Sequence, residues 1–406
     1  MNDLSSRARV LTALDHREAD RVPIDLDGMR SSGIHAVAYN RLKEHLGMTG
    51  GETVVYDIMQ QLAHPEPAVL DRFGVDTRPL ARAPIGLDPA RPAWKPWILP
   101  DGSPAVVPDG LNPRQTPEGY LELLDDEGHV TYRMPPSGLY FDPVYEPLAD
   151  ATTVADVEAY APSEISDAEL SWLRGEAQRL RAANDKAILG LTGINLYERA
   201  QRARGWQRFM TDLGSEPALA EAILQRLTEA GLRTLDRYIA AVGEYIDIIQ
   251  LGDDLGTQAG PQISPRMYRR LIKPFHQRLF QFARRRSGKP VMLHCCGGIY
   301  PLIPDLIEAG VDILNPVQFT AAGMDPVRLK AQFGRDIVFW GGGADTQQVL
   351  VNASPDEVRA HVRAQIEVFA PGGGFVFNQV HNLQASVPPE NVVAMFDAAR
   401  TYGGYR

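Results

Sequence analysis

The sequence predicts an α/β fold, a (β/α)8 barrel of the TIM type with one inserted hairpin-containing segment in its N-terminal part. Three observations point there. Short β-rich runs alternate with longer helical patterns through the second half of the chain, as consecutive βαβ units do. Two earlier runs raise the strand candidates to about eight, the number such a barrel needs. The Gly-rich turn that opens a doubly wound dinucleotide-binding sheet is missing after the first strand candidate.

Taken in order, RVPIDLD (21–27) and FGVDTRP (73–79) are the first two strand candidates. Segment 80–147 then breaks the pattern. It is rich in proline, and GYLELLDDEGHVTYRM reads as a hairpin turning at Asp126-Glu127-Gly128, expected as an insertion over the active-site end of a single barrel domain spanning 1–406. The remaining strand candidates are AILGLTG (187–193), YIDIIQLGDD (245–254), PVMLHCCG (290–297), VDILNPVQ (311–318), DIVFWGGG (336–343) and GFVFNQVH (374–381). Helical patterns lie between them at 196–213, 218–241, 265–286, 300–309, 326–333 and 355–369, with a last one at 389–402. Several open with Ser-Pro or Pro-Pro, which suits a first helical turn.

Composition excludes some functions. Of 406 residues, 44% are apolar and 23% charged, enough for a large core. A net charge of −10 argues against nucleic acid as the main partner. No apolar run approaches the roughly 18 residues of a membrane span, and the first residues lack the apolar core of a signal peptide. The only two cysteines, Cys295 and Cys296, are adjacent and cannot build an ordinary disulfide framework. A cytoplasmic location with both thiols free is expected.

Those cysteines sit in VMLHCCGG (291–298). If 291–296 is extended, Val291, Leu293 and Cys295 share one face, and Met292, His294 and Cys296 the other. Cys295 is then a small buried hydrophobe. His294 and Cys296 offer nitrogen and sulfur to a borderline-soft ion such as zinc, at the strand end where barrels of this type place their sites. Neighbouring strand ends are also polar: Asp253, Asp254 and Gln258; Asn315 and Gln318; Asp345 after a glycine run; Asn378 and His381. Single polar residues there usually cap the next helix. Several in succession converge on one cavity. His381 ends the last strand and becomes a third ligand, with Asp253 or a water completing a tetrahedron. Alternation puts Asp253 in register with Asp247, Ile249 and Leu251 and leaves open which of Asp253 and Asp254 faces the cavity. Arg30 is a candidate anchor for an anion, and Asp57 lies in an apolar context.

The runs QLGDDLGTQAGPQISPRMYRRLIKPFHQRL, KPVMLHCCGGIYPLIPDLIEAGVDILNPVQ and GGGFVFNQVHNLQASVPPENV, with the Gly-rich strand end before Asp345, resemble the uroporphyrinogen decarboxylase superfamily. That resemblance covers most of the chain outside 80–147. It implies a barrel enzyme of one of two kinds: a decarboxylase, or a zinc-dependent methyltransferase working with a methylated corrinoid protein. The decarboxylase pattern M-R-Q-A-G-R reads here Met29-Arg30-Ser31-Ser32-Gly33-Ile34, so its second arginine is replaced. Its aspartate and late histidine match Asp57 and His381. The methyltransferases match at His294 and Cys296, their first two zinc ligands, but have cysteine where this chain has His381.

The resemblance to the methyltransferase branch is the stronger one. It implies methyl transfer between a separate corrinoid protein and a small thiol or methoxylated substrate (O-demethylation), with zinc on His294, Cys296 and His381. Asp253 and His381 are the expected catalytic residues, and Arg30, Asp57, Gln258, Gln318 and Asp345 the expected substrate contacts. A metal-free decarboxylase acting on a tetrapyrrole or another carboxylated substrate is the first alternative. A non-catalytic corrinoid- or porphyrin-binding barrel is the second. A homodimer is implied by the decarboxylases.

Overall fold

The computed structural model describes residues 4–405. Seven parallel strands lie side by side in chain order: β1 (Thr77–Leu80), β2 (Ala187–Asn195), β3 (Ile248–Gly252), β4 (Val291–His294), β5 (Ile313–Asn315), β6 (Val338–Trp340) and β7 (Phe375–Val376). The segment around Ile24 fills the remaining gap. On one side Phe377 N donates to Pro23 O and Asp25 N donates to Phe377 O, both at 2.8 Å; on the other, Asp76 N donates to Ile24 O at 2.8 Å. Pro23 has no N–H to give, so this eighth stave pairs too sparsely to form a regular strand. The result is a closed α/β barrel.

Parallel strands covered on both faces need apolar residues on both. Leu189, Leu191, Ile248, Met292, Ile313, Val338, Trp340 and Val376 fill the interior. Ile249, Leu251, Val291, Leu293, Leu314, Phe339 and Phe375 pack outward against the helices. The helix Ser6–Leu14 closes the end of the barrel where the strands begin: Arg7 N donates to Asp185 O at 2.8 Å, and Gly374 N to Ala13 O at 3.1 Å. With that end plugged, the opposite end, where the strands finish, is the one left to hold a site.

Every strand but β2 is shorter than its expected run; β2 instead extends two residues past 193, to Asn195. The expected 196–213 helix is broken at Gly205 (φ 85°) into Leu196–Arg204 and Trp206–Ser215, because that left-handed backbone suits glycine and cannot continue a helix. The expected 265–286 helix contains a π turn, Tyr268–Ile272, before Lys273–Ser287. Segment 80–147 forms two antiparallel units. One is the hairpin Trp94–Ile98 with Pro104–Pro108, and the other is built on Leu121–Leu124 paired with Val130–Met134, whose turn contains Asp126-Glu127-Gly128. No helix among the described residues is long and apolar enough to cross a membrane.

One buried histidine makes the fold sensitive to acid. His35 caps the helix Ala36–His45, its Nδ1 accepting Val37 N–H at 3.2 Å. Its side chain is 1% exposed, and burial lowers its pKa to about 4. As pH falls through about 6.5 the unfolded chain takes up the proton first, so stability present above that pH is lost on the way to about 4. The loss attributable to His35 is at most about 3 kcal/mol. His361 and His381 are shifted in the same sense. Asparagine also caps helices. His35→Asn should therefore leave stability at pH 7.5 within about 1 kcal/mol of the parent and flatten the decline, measured by urea unfolding between pH 7.5 and 4.5.

Candidate metal centre and substrate cavity

Strand β4 ends at His294, and the chain turns before Cys296. Alternation sends Leu293 out to the helices and Met292 into the barrel, so His294 faces inward as well. Cys295 is fully buried on the helix side, with Leu255 N 3.4 Å from its sulfur. Cys296 Sγ lies 3.4 Å from His294 Nε2. His381, beyond the end of β7, completes a group in which the three donor atoms all lie within 4.8 Å of one another. Zinc–nitrogen and zinc–sulfur bonds of roughly 2.0–2.3 Å set tetrahedral ligands between 3 and 4 Å apart, on the order of what small rotations here would give. The donor set fits a zinc ion.

The surrounding hydrogen bonds orient the donors. Asn315 Nδ2 donates to Trp340 O at 2.9 Å, which fixes the amide and leaves Oδ1 as an acceptor. Ser31 Oγ donates to that Oδ1 at 2.8 Å, and His294 Nδ1 lies 2.8 Å from it. His294 must therefore carry its proton on Nδ1, which leaves the Nε2 lone pair pointing at Cys296. Asp254 Oδ1 accepts Cys296 N–H at 2.8 Å and lies 3.8 Å from His294 Nε2. Burial, aided by His294, lowers the His381 pKa to about 4, so its imidazole is neutral and available as a ligand at ordinary pH. Burial and the Asp254 carboxylate raise the Cys296 thiol well above its usual value. A dication at this position would reverse that, since a coordinated thiol is deprotonated. Asn315→Ala should weaken zinc binding about 10- to 100-fold while leaving the three ligands in place, which competition with a chromogenic chelator would measure.

A cavity of about 390 Å³ opens from this centre. His294, His381 and Asp254 line it, with Arg30, Tyr56, Arg82, Tyr132, Leu191, Glu198, Arg199 and Arg202. Tyr132 comes from the inserted hairpin, which thus supplies part of the cavity wall. Arg30, its side chain 58% exposed, forms an ion pair with buried Asp57, and that neighbour raises its pKa further.

Four expectations need correction. Asp253 does not face the cavity. It is 1% exposed on the helix side, where its carboxylate accepts the backbone N–H groups of Leu196, Tyr197 and Glu198 at 2.8, 2.8 and 2.9 Å and lies 2.8 Å from His276 Nε2. Asp254 is the inward carboxylate. Gln318 Oε1 accepts Gly297 N–H at 2.7 Å and so ties down the loop after Cys296, outside the cavity. Asp345 accepts Gln347 N–H at 2.8 Å, and Gln258 is exposed beside Gln347, so neither reaches the cavity.

Glu198, Arg199 and Arg202 were not expected. The β2 run continues to Asn195, beyond the apolar stretch, and the helix Leu196–Arg204 starts at once. The available signal was the charged pair Glu198-Arg199 in a first turn directly after a barrel strand.

The uroporphyrinogen decarboxylase family profile matches residues 139–402. The chain belongs to the uroporphyrinogen decarboxylase family. Among curated relatives, the uroporphyrinogen decarboxylase of Alkalilimnicola ehrlichii is 25% identical over 400 residues, covering 96% of this chain and 92% of that protein. The uroporphyrinogen decarboxylase of Thermus thermophilus is 30% identical over 199 residues, 47% of this chain and 51% of that protein, so the chain spans about half the length of this relative. A solved methyltransferase from Methanosarcina mazei shares the fold, with a TM-score of 0.58 at 19% identity over 98% of this chain and 99% of that one. This member of the uroporphyrinogen decarboxylase family keeps Arg30, but Ile34 is fully buried and pairs with Ala63, so the second arginine position of the decarboxylase pattern offers nothing to a ligand.

Proposed function

We propose that this family member is a zinc-dependent methyltransferase that moves a methyl group between a corrinoid carried by a separate protein and a small thiol or methoxylated substrate. The observation that carries the proposal is the clustering of His294, Cys296 and His381 at the open end of the barrel, with His294 held in the metal-binding tautomer by Asn315. Zinc there would supply Lewis acidity, lowering the pKa of a thiol or polarising an ether oxygen. The chain's own groups do the rest. Asp254 places carboxylate charge beside the centre and holds the Cys296 backbone in position. Tyr132 and Leu191 give the substrate an apolar wall.

Two further observations favour this reading over decarboxylation of a tetrapyrrole. The cavity is near the low end of the roughly 300–1,000 Å³ of small-ligand pockets. Of the two arginines in the decarboxylase pattern, Arg30 is already paired with Asp57 and the other is Ile34. A substrate with many carboxylates needs more cationic anchoring than that.

The inserted segment suits a docking role. Trp94, Ile98, Tyr120, Leu124, Leu139, Val144 and Tyr145 are exposed on it and offer apolar contacts to a partner. A corrinoid protein seated there would face the mouth that Tyr132 helps to line. Protein purified without added zinc should contain about one zinc per chain and should transfer methyl from methylcobalamin to a thiol, followed by the cobalamin absorption change. Metal-free protein that releases carbon dioxide from uroporphyrinogen would overturn the proposal.

A further inference from the structure

We propose that the substrate is a small organic acid with a single carboxylate and that Arg199 receives that carboxylate. Resting on the methyl-transfer reading, this adds a substrate class and a recognition residue. Four arginines line the cavity, and three are already neutralised. Arg30 pairs with Asp57, Arg82 with Glu169, and Arg202 Nη2 with Glu198 Oε1 at 3.2 Å. Arg199 has no carboxylate within 4.0 Å among the described residues, and its contact is one long bond, Nη2 to Ser163 O at 3.4 Å. The residue is carried on the first turn of the helix Leu196–Arg204, whose N-terminal amides Asp253 already satisfies. It is a partly buried cation whose backbone is fixed at the cavity wall.

The surroundings make that cation costly unless an anion joins it. Burial and the neighbouring Arg82 and Arg202 all disfavour its charge, and the groups acting on it from other elements are Tyr160 and Tyr132, neither a carboxylate. A partly buried guanidinium without a counter-ion gains most from a planar, bidentate anion, and a carboxylate matches its fork. One guanidinium balances one carboxylate. Within an otherwise polar lining, Leu191, Ile194 and the ring of Tyr132 form the apolar part of the wall, where the organic body of the acid would lie. Asp254, also unneutralised by an arginine, lies at the metal-ligand end and would repel a second anionic group there.

The test is calorimetric titration of zinc-loaded protein with a panel of small aromatic and aliphatic carboxylates, 4-methoxybenzoate among them, each run beside its neutral amide. At least one acid should bind 10-fold or more tightly than its amide. Arg199→Gln should abolish that preference, and Arg199→Lys should restore part of it. Unchanged melting of both variants would show that the fold is intact. The acid preference should persist in Cys296→Ala, which is expected to lose methyl transfer, so recognition and chemistry are judged separately. If no acid outbinds its amide, or Arg199→Gln leaves the preference intact, the inference is overturned, whether or not methyl transfer is found.

Discussion

Alanine at Cys296 or at His294 is expected to strip zinc from the protein and reduce methyl transfer by at least about 100-fold, because each change removes one of three protein donors. The two variants should behave alike. The donors stand 3.4 Å apart on one turn of chain, and with either removed only two of the three protein donors remain. Folding should be little affected. Cys296 is only partly buried and its sulfur makes no bond to the core, so its removal costs on the order of 1 kcal/mol. Metal analysis after gel filtration, with methyl transfer from methylcobalamin measured on the same samples, separates this outcome from general damage. Retention of full metal by either variant would end the assignment of the centre.

His381 sharpens the same test. Imidazole and thiolate are both good zinc ligands. If residue 381 is a ligand, His381→Cys should keep bound zinc and a measurable fraction of activity, while His381→Ala should lose both. If His381 served only to pack the loop beside Asn382, cysteine and alanine would be equivalent. The difference between the two substitutions is therefore the informative quantity.

Period-two alternation made the barrel and one wall of the site legible. It separated His294 and Cys296 from Cys295 without any contact information, because the strand had to bury aliphatic residues on both faces. It also contained the answer for Asp253. Ile249 and Leu251 share its register and face the helices, so Asp253 had to follow them outward and leave Asp254 facing in. The expectation failed by favouring the residue's chemistry over its register. Other parts were not legible. Gln318 and Asp345 look like ligand contacts in a linear reading, but Gln318 is used by the distant Gly297 amide, which the sequence does not place beside it, and Asp345 closes a local turn onto the Gln347 amide. Arg199 stands out only when the carboxylates paired with Arg30, Arg82 and Arg202 are known, and two of those partners lie at distant positions along the chain.

Asp253→Ala should be among the most destabilising single changes in the molecule, at about 3–5 kcal/mol, while leaving zinc bound to the fraction that remains folded. One buried carboxylate satisfies three consecutive amides at the start of the helix Leu196–Arg204 and also holds His276, whose other ring nitrogen lies 3.1 Å from Tyr268 Oη. Alanine leaves those amides and the imidazole buried without partners, where no solvent replaces the lost bonds. Asparagine keeps an acceptor oxygen but no charge, so Asp253→Asn should cost less, about 1–2 kcal/mol. Asp254→Asn should behave in the opposite way, because that side chain is 37% exposed and borders the centre: near-parental urea unfolding with altered metal affinity or turnover. Asp253 acts on the site at one remove. The helix turn it anchors carries Glu198 and Arg199 into the cavity, so Asp253→Asn should weaken carboxylate binding without changing the metal content. If Asp253→Ala unfolded like the parent and lost zinc instead, Asp253 would be a ligand and the assignment of inward and outward carboxylates would be reversed.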